Sequence, residues 1–215
     1  MPVEILLNIF NFFMHIDHHL AEVIADYGVW VYLILFVIIF CETGLVVTPF
    51  LPGDSLLFAT GALAAASGLH IGLLWIVLAS AAILGNSANY GIGTMLASKI
   101  LGGEGVPFIK KEYIERTQAF YEKYGGKTLI LTRFMPILRT FAPFMAGVGK
   151  MNYLRFQSYN IAGGVLWITL FVLGGYFFGN IPAIKKNFSM VILIIIVVSL
   201  LPAVIEFWKH RSAKK

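Results

Sequence analysis

The chain predicts an all-α fold of the polytopic membrane type, with two opposed re-entrant helical hairpins in an inverted repeat plus spanning helices. Three observations point there. The 215 residues are 59% hydrophobic and only 13% charged, and several apolar runs approach the ~20 residues that cross a bilayer. Acidic residues are scattered from Glu4 onward, but no Lys or Arg precedes Lys99. All sixteen basic residues then follow, mostly in short loops between apolar segments, where retention of positive charge on the cytoplasmic side places them. Finally, two apolar stretches are broken from within by proline beside ionisable residues: "ETGLVVTPFLPGDSLL" from Glu42 and "TRFMPILRTFAPF" from Thr132.

One membrane domain over 1–215 is the natural division. Residues 1–28 read as an interfacial amphipathic helix, because "VEILLNIFNFFMHI" is too short to cross and "DHHLAEVIADYG" is mixed. Met1 to Asn11 lacks the basic start of a secretory signal, so this segment is expected to stay with the membrane. A first repeat covers 29–97. Within it Val29–Val47 is long enough to cross, Ser55–Leu69 is short, and Ile71–Ala97 crosses despite the interruption "GNSANYG". Residues 98–127 form a polar loop, with six basic and four acidic side chains between Lys99 and Lys127. The second repeat, 128–180, holds the broken stretch Thr128–Gly147 and the span Ile161–Phe178. A final spanning helix over 189–208 leads into the basic tail "KHRSAKK".

Positive charge puts the 98–127 loop, the Lys150–Arg155 connection and the C-terminus on the cytoplasmic side. Both flanks of Thr128–Gly147 then face the same way. Two crossings need about 40 residues at ~1.5 Å per residue, so this stretch enters and returns as a hairpin. Counting back through Ile71–Ala97 gives the Pro49–Gly53 break the opposite entrance. Two broken elements that meet near the midplane are a plan common among transporters. Lys185 and Lys186 depart from the scheme, since it places them outside.

The breaks carry the chemistry. Pro49 and Pro52 withhold backbone donors and Gly53 permits a tight turn, while Pro136 and Pro143 break the second stretch. An acid facing lipid is disfavoured by ~2.5–3.5 kcal/mol, so Glu42 and Asp54 are expected to face a hydrated cavity. There they are candidates for proton exchange; Asp54, with Ser55, equally suits a helix cap. Arg133 and Arg139, six residues apart across a proline, could aim two guanidinium forks at one phosphate. The alternative is that they only pair with Glu42 and Asp54.

Other features read as structural. Cys41 is an inert packed thiol. Asn86 and Asn89 fit hydrogen bonds between helices, and Gly85, Gly91, Gly93, Gly175 and Gly179 fit close helix approaches. His15, His18 and His19 lack the further ligands of a metal site, no cofactor is implied, and nucleic-acid binding is excluded by the loop placement of the basic residues. A phosphatase would need a nucleophile and an acid or base in the cavity, yet none of the five histidines lies in either motif. A non-enzyme is expected.

"FCETGLVVTPFLPGDSLL" together with "LTRFMPILRTFAPFMAG" resembles the DedA family of bacterial inner-membrane proteins, related to eukaryotic lipid scramblases, and the likeness extends over nearly the whole chain. The resemblance implies a multi-pass inner-membrane protein that supports envelope homeostasis and recycles undecaprenyl phosphate with the proton motive force. Its partners would be a lipid phosphate headgroup, protons and membrane lipids; the oligomeric state stays open. Its membrane acids fall on Glu42 and Asp54 and its paired arginines on Arg133 and Arg139. Asn86 departs from the family, which often carries Asp there. A proton/cation antiporter and a phosphatidylethanolamine flippase remain the alternatives.

Overall fold

The computed structural model describes residues 22, 24, 26–45, 53–101, 117–118, 121–188, 190–195 and 197. Most of the interfacial segment 1–28 with its histidines, Pro49 and Pro52, most of the 98–127 loop, and the end of the final helix lie outside the described residues. Among those described, all regular structure is helical.

α1, Trp30–Gly44, is apolar on every side. Val31, Leu35, Ile39 and Glu42 recur at spacings of four, four and three and are buried, as one face of a helix requires. Trp30, Leu33 and Val37 are exposed, as lipid-facing residues are. α2, Gly53–Ser67, is rich in Ala and Gly. α3, Ile71–Leu101, runs unbroken through "GNSANYG"; backbone bonding satisfied within a helix tolerates small polar residues that find partners on neighbours.

The second broken stretch is less symmetric than its sequence predicts. A short helix α4, Thr128–Leu131, lies between 3₁₀ turns Gly125–Lys127 and Thr132–Phe134. Met135 is extended, with φ −125° and ψ 99°, and Pro136 opens α5, Pro136–Val148. A residue before proline is pushed to this region, and proline suits a first helical position because its missing N–H has no partner there anyway. Pro143 was expected to break the stretch, but it lies inside α5. It removes the helical donor to the Arg139 carbonyl, while the adjacent Thr140 carbonyl takes a bond from the Asn89 side chain at 2.8 Å. Neighbouring polar groups let a membrane helix run through proline in this way.

α6, Tyr153–Ile168, starts eight residues ahead of the predicted span because the Asn152 side chain accepts the Arg155 N–H at 3.2 Å and caps it. A π-helical turn, Thr169–Leu173, carries it into α7, Gly174–Phe178. α8, Pro182–Lys186, follows. Among the described residues, two continuous helices are long and apolar enough to cross a membrane, Ile71–Ser98 with 28 residues and Tyr153–Phe178 with 26. At ~1.5 Å per residue each exceeds the ~30 Å hydrocarbon layer. Only 39% and 33% of their apolar windows are buried within the protein, so most of each apolar surface faces outward.

Small residues set the helix contacts. A side chain on Gly85 would overlap Thr43 of α1, one on Gly93 the Phe144 carbonyl of α5, and one on Gly175 the Phe58 carbonyl of α2. Gly179 meets Ala62, and Gly61 on α2 meets the Val172 carbonyl. Between apolar helices in lipid such approach is the main source of attraction, through dispersion. Gly91 is a correction: a Cβ there would meet nothing within 4 Å, because it lies on a different side of α3 from Gly93.

Candidate functional site

Glu42, Asp54, Arg133 and Arg139 are all buried, at 1%, 5%, 1% and 2% exposure. That is rare for ionisable side chains and costly unless each is paired. Arg139, in the first half of α5, reaches both acids. Its Nη1 donates to Asp54 Oδ1 at 2.9 Å and its Nη2 to Glu42 Oε1. One planar fork thus joins α5 to α1 and α2, with a carboxylate on each prong.

The first turn of α2 completes this cluster. The Gly53 N–H donates to Glu42 Oε1 at 3.2 Å, so a helix N-terminus faces the carboxylate. Gly53 was expected to permit a tight turn. The chain just before it lies outside the described residues; what the structure shows is a clearance, since a Cβ there would occupy the space of the Glu42 carboxylate. Asp54 lies inside the first turn of α2, and its Oδ1 also accepts the Trp167 indole N–H at 2.8 Å.

Arg133 is built differently. It lies in the 3₁₀ turn ahead of α5 and, among the described residues, meets no carboxylate. Its Nη2 donates to Asn160 Oδ1 at 2.7 Å and to the Asn160 carbonyl at 3.3 Å. Nε and Nη1 have no hydrogen-bond partner among the described residues. Gly163 and Gly164 of α6 lie against the guanidinium. Trp167 connects the two halves: its ring lies 4.9 Å from the Arg139 guanidinium carbon and 5.8 Å from that of Arg133, within the range of cation–π attraction.

The four predicted ionisable residues therefore share one buried region, but unequally. With all of them ionised, Arg139 and its two acids carry a formal charge of −1 and Arg133 carries +1. Asn86 and Asn89 do bond between helices, Asn86 Nδ2 to Asn160 Oδ1 at 3.0 Å and Asn89 Nδ2 to the Thr43 carbonyl at 3.1 Å. Asn160 and Trp167 were not anticipated. A polar amide near the start of "YNIAGG", one turn before paired glycines, was the available signal.

Fold and site define a helical membrane protein with arginines and acids buried together at its centre. The VTT domain model matches residues 51–177. The chain is 51% identical to protein DedA of Escherichia coli K12 over 98% of its own length and 97% of that protein. It is 45% identical to an uncharacterised membrane protein of Mycobacterium tuberculosis H37Rv, over 84% of this chain and 80% of the other. With the inner membrane protein YqjA of Escherichia coli K12 identity is 30%, over 86% and 87% of the two chains. The chain belongs to the DedA family of VTT-domain membrane proteins. No solved structure matches it.

Proposed function

We propose that the protein moves a phosphate-bearing lipid, of the undecaprenyl phosphate carrier type, across the bacterial inner membrane, coupled to the proton motive force, and that it is not an enzyme. Arg133 binds the phosphate. Arg139 joins it once the acids release it, and Glu42 and Asp54 exchange the protons. The observation that carries this reading is the burial of Arg133 with two guanidinium nitrogens unpaired. A buried cation without a carboxylate is costly and an anion offsets that cost, and guanidinium matches phosphate with paired hydrogen bonds.

The sign of the coupling follows from the charges. Each proton taken up by Glu42 or Asp54 makes the site one unit more positive and weakens the hold on Arg139. Phosphate and proton are then drawn in together. The reading also takes the α1–α2 and α4–α5 segments as hairpins dipping in from opposite faces, the C-terminus being cytoplasmic, so that rocking one against the other exposes the site alternately. A cation antiporter is less well supported, because both acids are already engaged by Arg139.

Reconstituted vesicles provide the test, with a fluorescent polyprenyl phosphate whose headgroup is quenched from outside. Replacing Arg133 by Gln is expected to abolish headgroup movement while the protein still inserts. Undiminished movement in Arg133→Gln and Arg139→Gln would remove phosphate binding from both arginines.

A further inference from the structure

The arginine at the centre of the proposed site is held by uncharged oxygens alone among the described residues: the Asn160 side chain at 2.7 Å and, more loosely, the Asn160 and Ala82 carbonyls at 3.3 and 3.5 Å. Asn160 is fully buried. Its Oδ1 accepts from Arg133 Nη2 at 2.7 Å and from Asn86 Nδ2 at 3.0 Å. Its Nδ2 donates to the Ile83 carbonyl at 3.0 Å and to Gln157 Oε1 at 2.7 Å. The amide can face only one way here, since donors converge on one of its atoms and acceptors on the other. It is a rigid hub tying α3, α6 and the Arg133 turn together.

The usual partner for a buried guanidinium is a carboxylate. Aspartate has the same size and shape as asparagine and would reach the same nitrogen. It would also cancel the charge. We propose that Asn160 is the positioning residue of the phosphate site: it fixes the Arg133 fork through a neutral acceptor, so that the fork is oriented yet its positive charge stays uncancelled for an incoming phosphate group. This rests on the phosphate reading above. The contrast with Arg139 supports it, because the same side-chain type a short distance along the chain is held by two carboxylates. The two unpaired nitrogens of Arg133 support it too, since the tether occupies only Nη2 and leaves Nε and Nη1 buried without hydrogen-bond partners among the described residues.

The test compares the full-length wild type with Asn160→Asp, Asn160→Ala and Arg133→Gln in detergent. Thermal melting is followed alone, with phosphatidic acid in the micelles, and with inorganic phosphate. The two additions distinguish a lipid headgroup from free phosphate. Without ligand, Asn160→Asp is expected to melt above Asn160→Ala, because the new carboxylate pairs with Arg133 and alanine leaves it only the looser backbone carbonyls. With ligand, Asn160→Asp is expected to bind about tenfold more weakly or worse, as loss of a charge-assisted contact dictates, although it is the more stable variant. A purely structural role would move stability and ligand response together. An Asn160→Asp protein that keeps the wild-type response, or melts no higher than Asn160→Ala, overturns the proposal. If the wild type responds to neither phosphate source, or Arg133→Gln responds as the wild type does, the phosphate reading falls, while the ligand-free melting order still decides whether Asn160 holds an uncancelled charge.

Discussion

Arg139 and Arg133 are the same residue in the same buried region, six positions apart, yet one is paired with two acids and the other only with amide and carbonyl oxygen. Arg139 closes a three-part ion cluster that ties α5 to α1 and α2. Arg133 is oriented but its charge is not cancelled. On the proposed function, the difference separates two tasks that one arginine cannot perform at once, holding the helices at rest and remaining ready for an anion.

The largest effect should come from cutting the acid-paired side. Arg139→Ala strands two buried carboxylates and is expected to cost about 3–5 kcal/mol, read as a lowered midpoint of unfolding in a denaturing detergent series. Arg133→Met, by contrast, removes a buried charge that has no carboxylate, so its stability cost should stay near ~1 kcal/mol while headgroup transport is lost. Equal destabilisation by both substitutions would erase the distinction. Gly53→Ala pushes a methyl group into the Glu42 carboxylate and should cost about 1–3 kcal/mol, with the change confined to the acid-paired side: phosphate-dependent stabilisation through Arg133 should persist. Glu42→Gln keeps an acceptor for the Gly53 N–H but removes a charge from Arg139. It is expected to cost about 1–2 kcal/mol and, more tellingly, to make flux insensitive to an imposed pH gradient that accelerates the wild type when protons enter with the lipid. The smallest effect tests the packing account. Gly91→Ala fills open space and should stabilise α3 by about 0.5–1 kcal/mol through helix propensity alone.

Glu42, Asp54, Arg133 and Arg139 were legible because an ionisable residue in an apolar run is conspicuous at a single position. How they divide into partners was not. The bonds of Arg139 to Glu42 and Asp54 close over 97 and 85 positions, and no local pattern distinguishes them from the equally plausible pairings of Arg133. Trp167 and Asn160 were hidden for the opposite reason, since one aromatic or one amide in a spanning helix is ordinary. Glycine and proline were read by backbone habit alone. Gly53 provides clearance, Pro143 is carried inside a helix, and Gly91 touches nothing; each depends on what lies opposite, which the linear order does not record.

The wider turn at Thr169–Leu173 has a consequence for Trp167 and Gly175, which lie on either side of it. A π turn closes with one residue more than an α turn, so everything beyond it lies about 100° back from where an unbroken α-helix would put it. Upstream, α6 presents Asn160 and Trp167 to the arginines; downstream, Gly175 of α7 and Gly179 just beyond it face α2. Both faces are in phase because the wide turn absorbs that surplus residue. Forcing the turn into α geometry with no residue removed would leave two intact helical rods whose azimuths no longer agree, so either the indole or the glycine seam would have to abandon its neighbour.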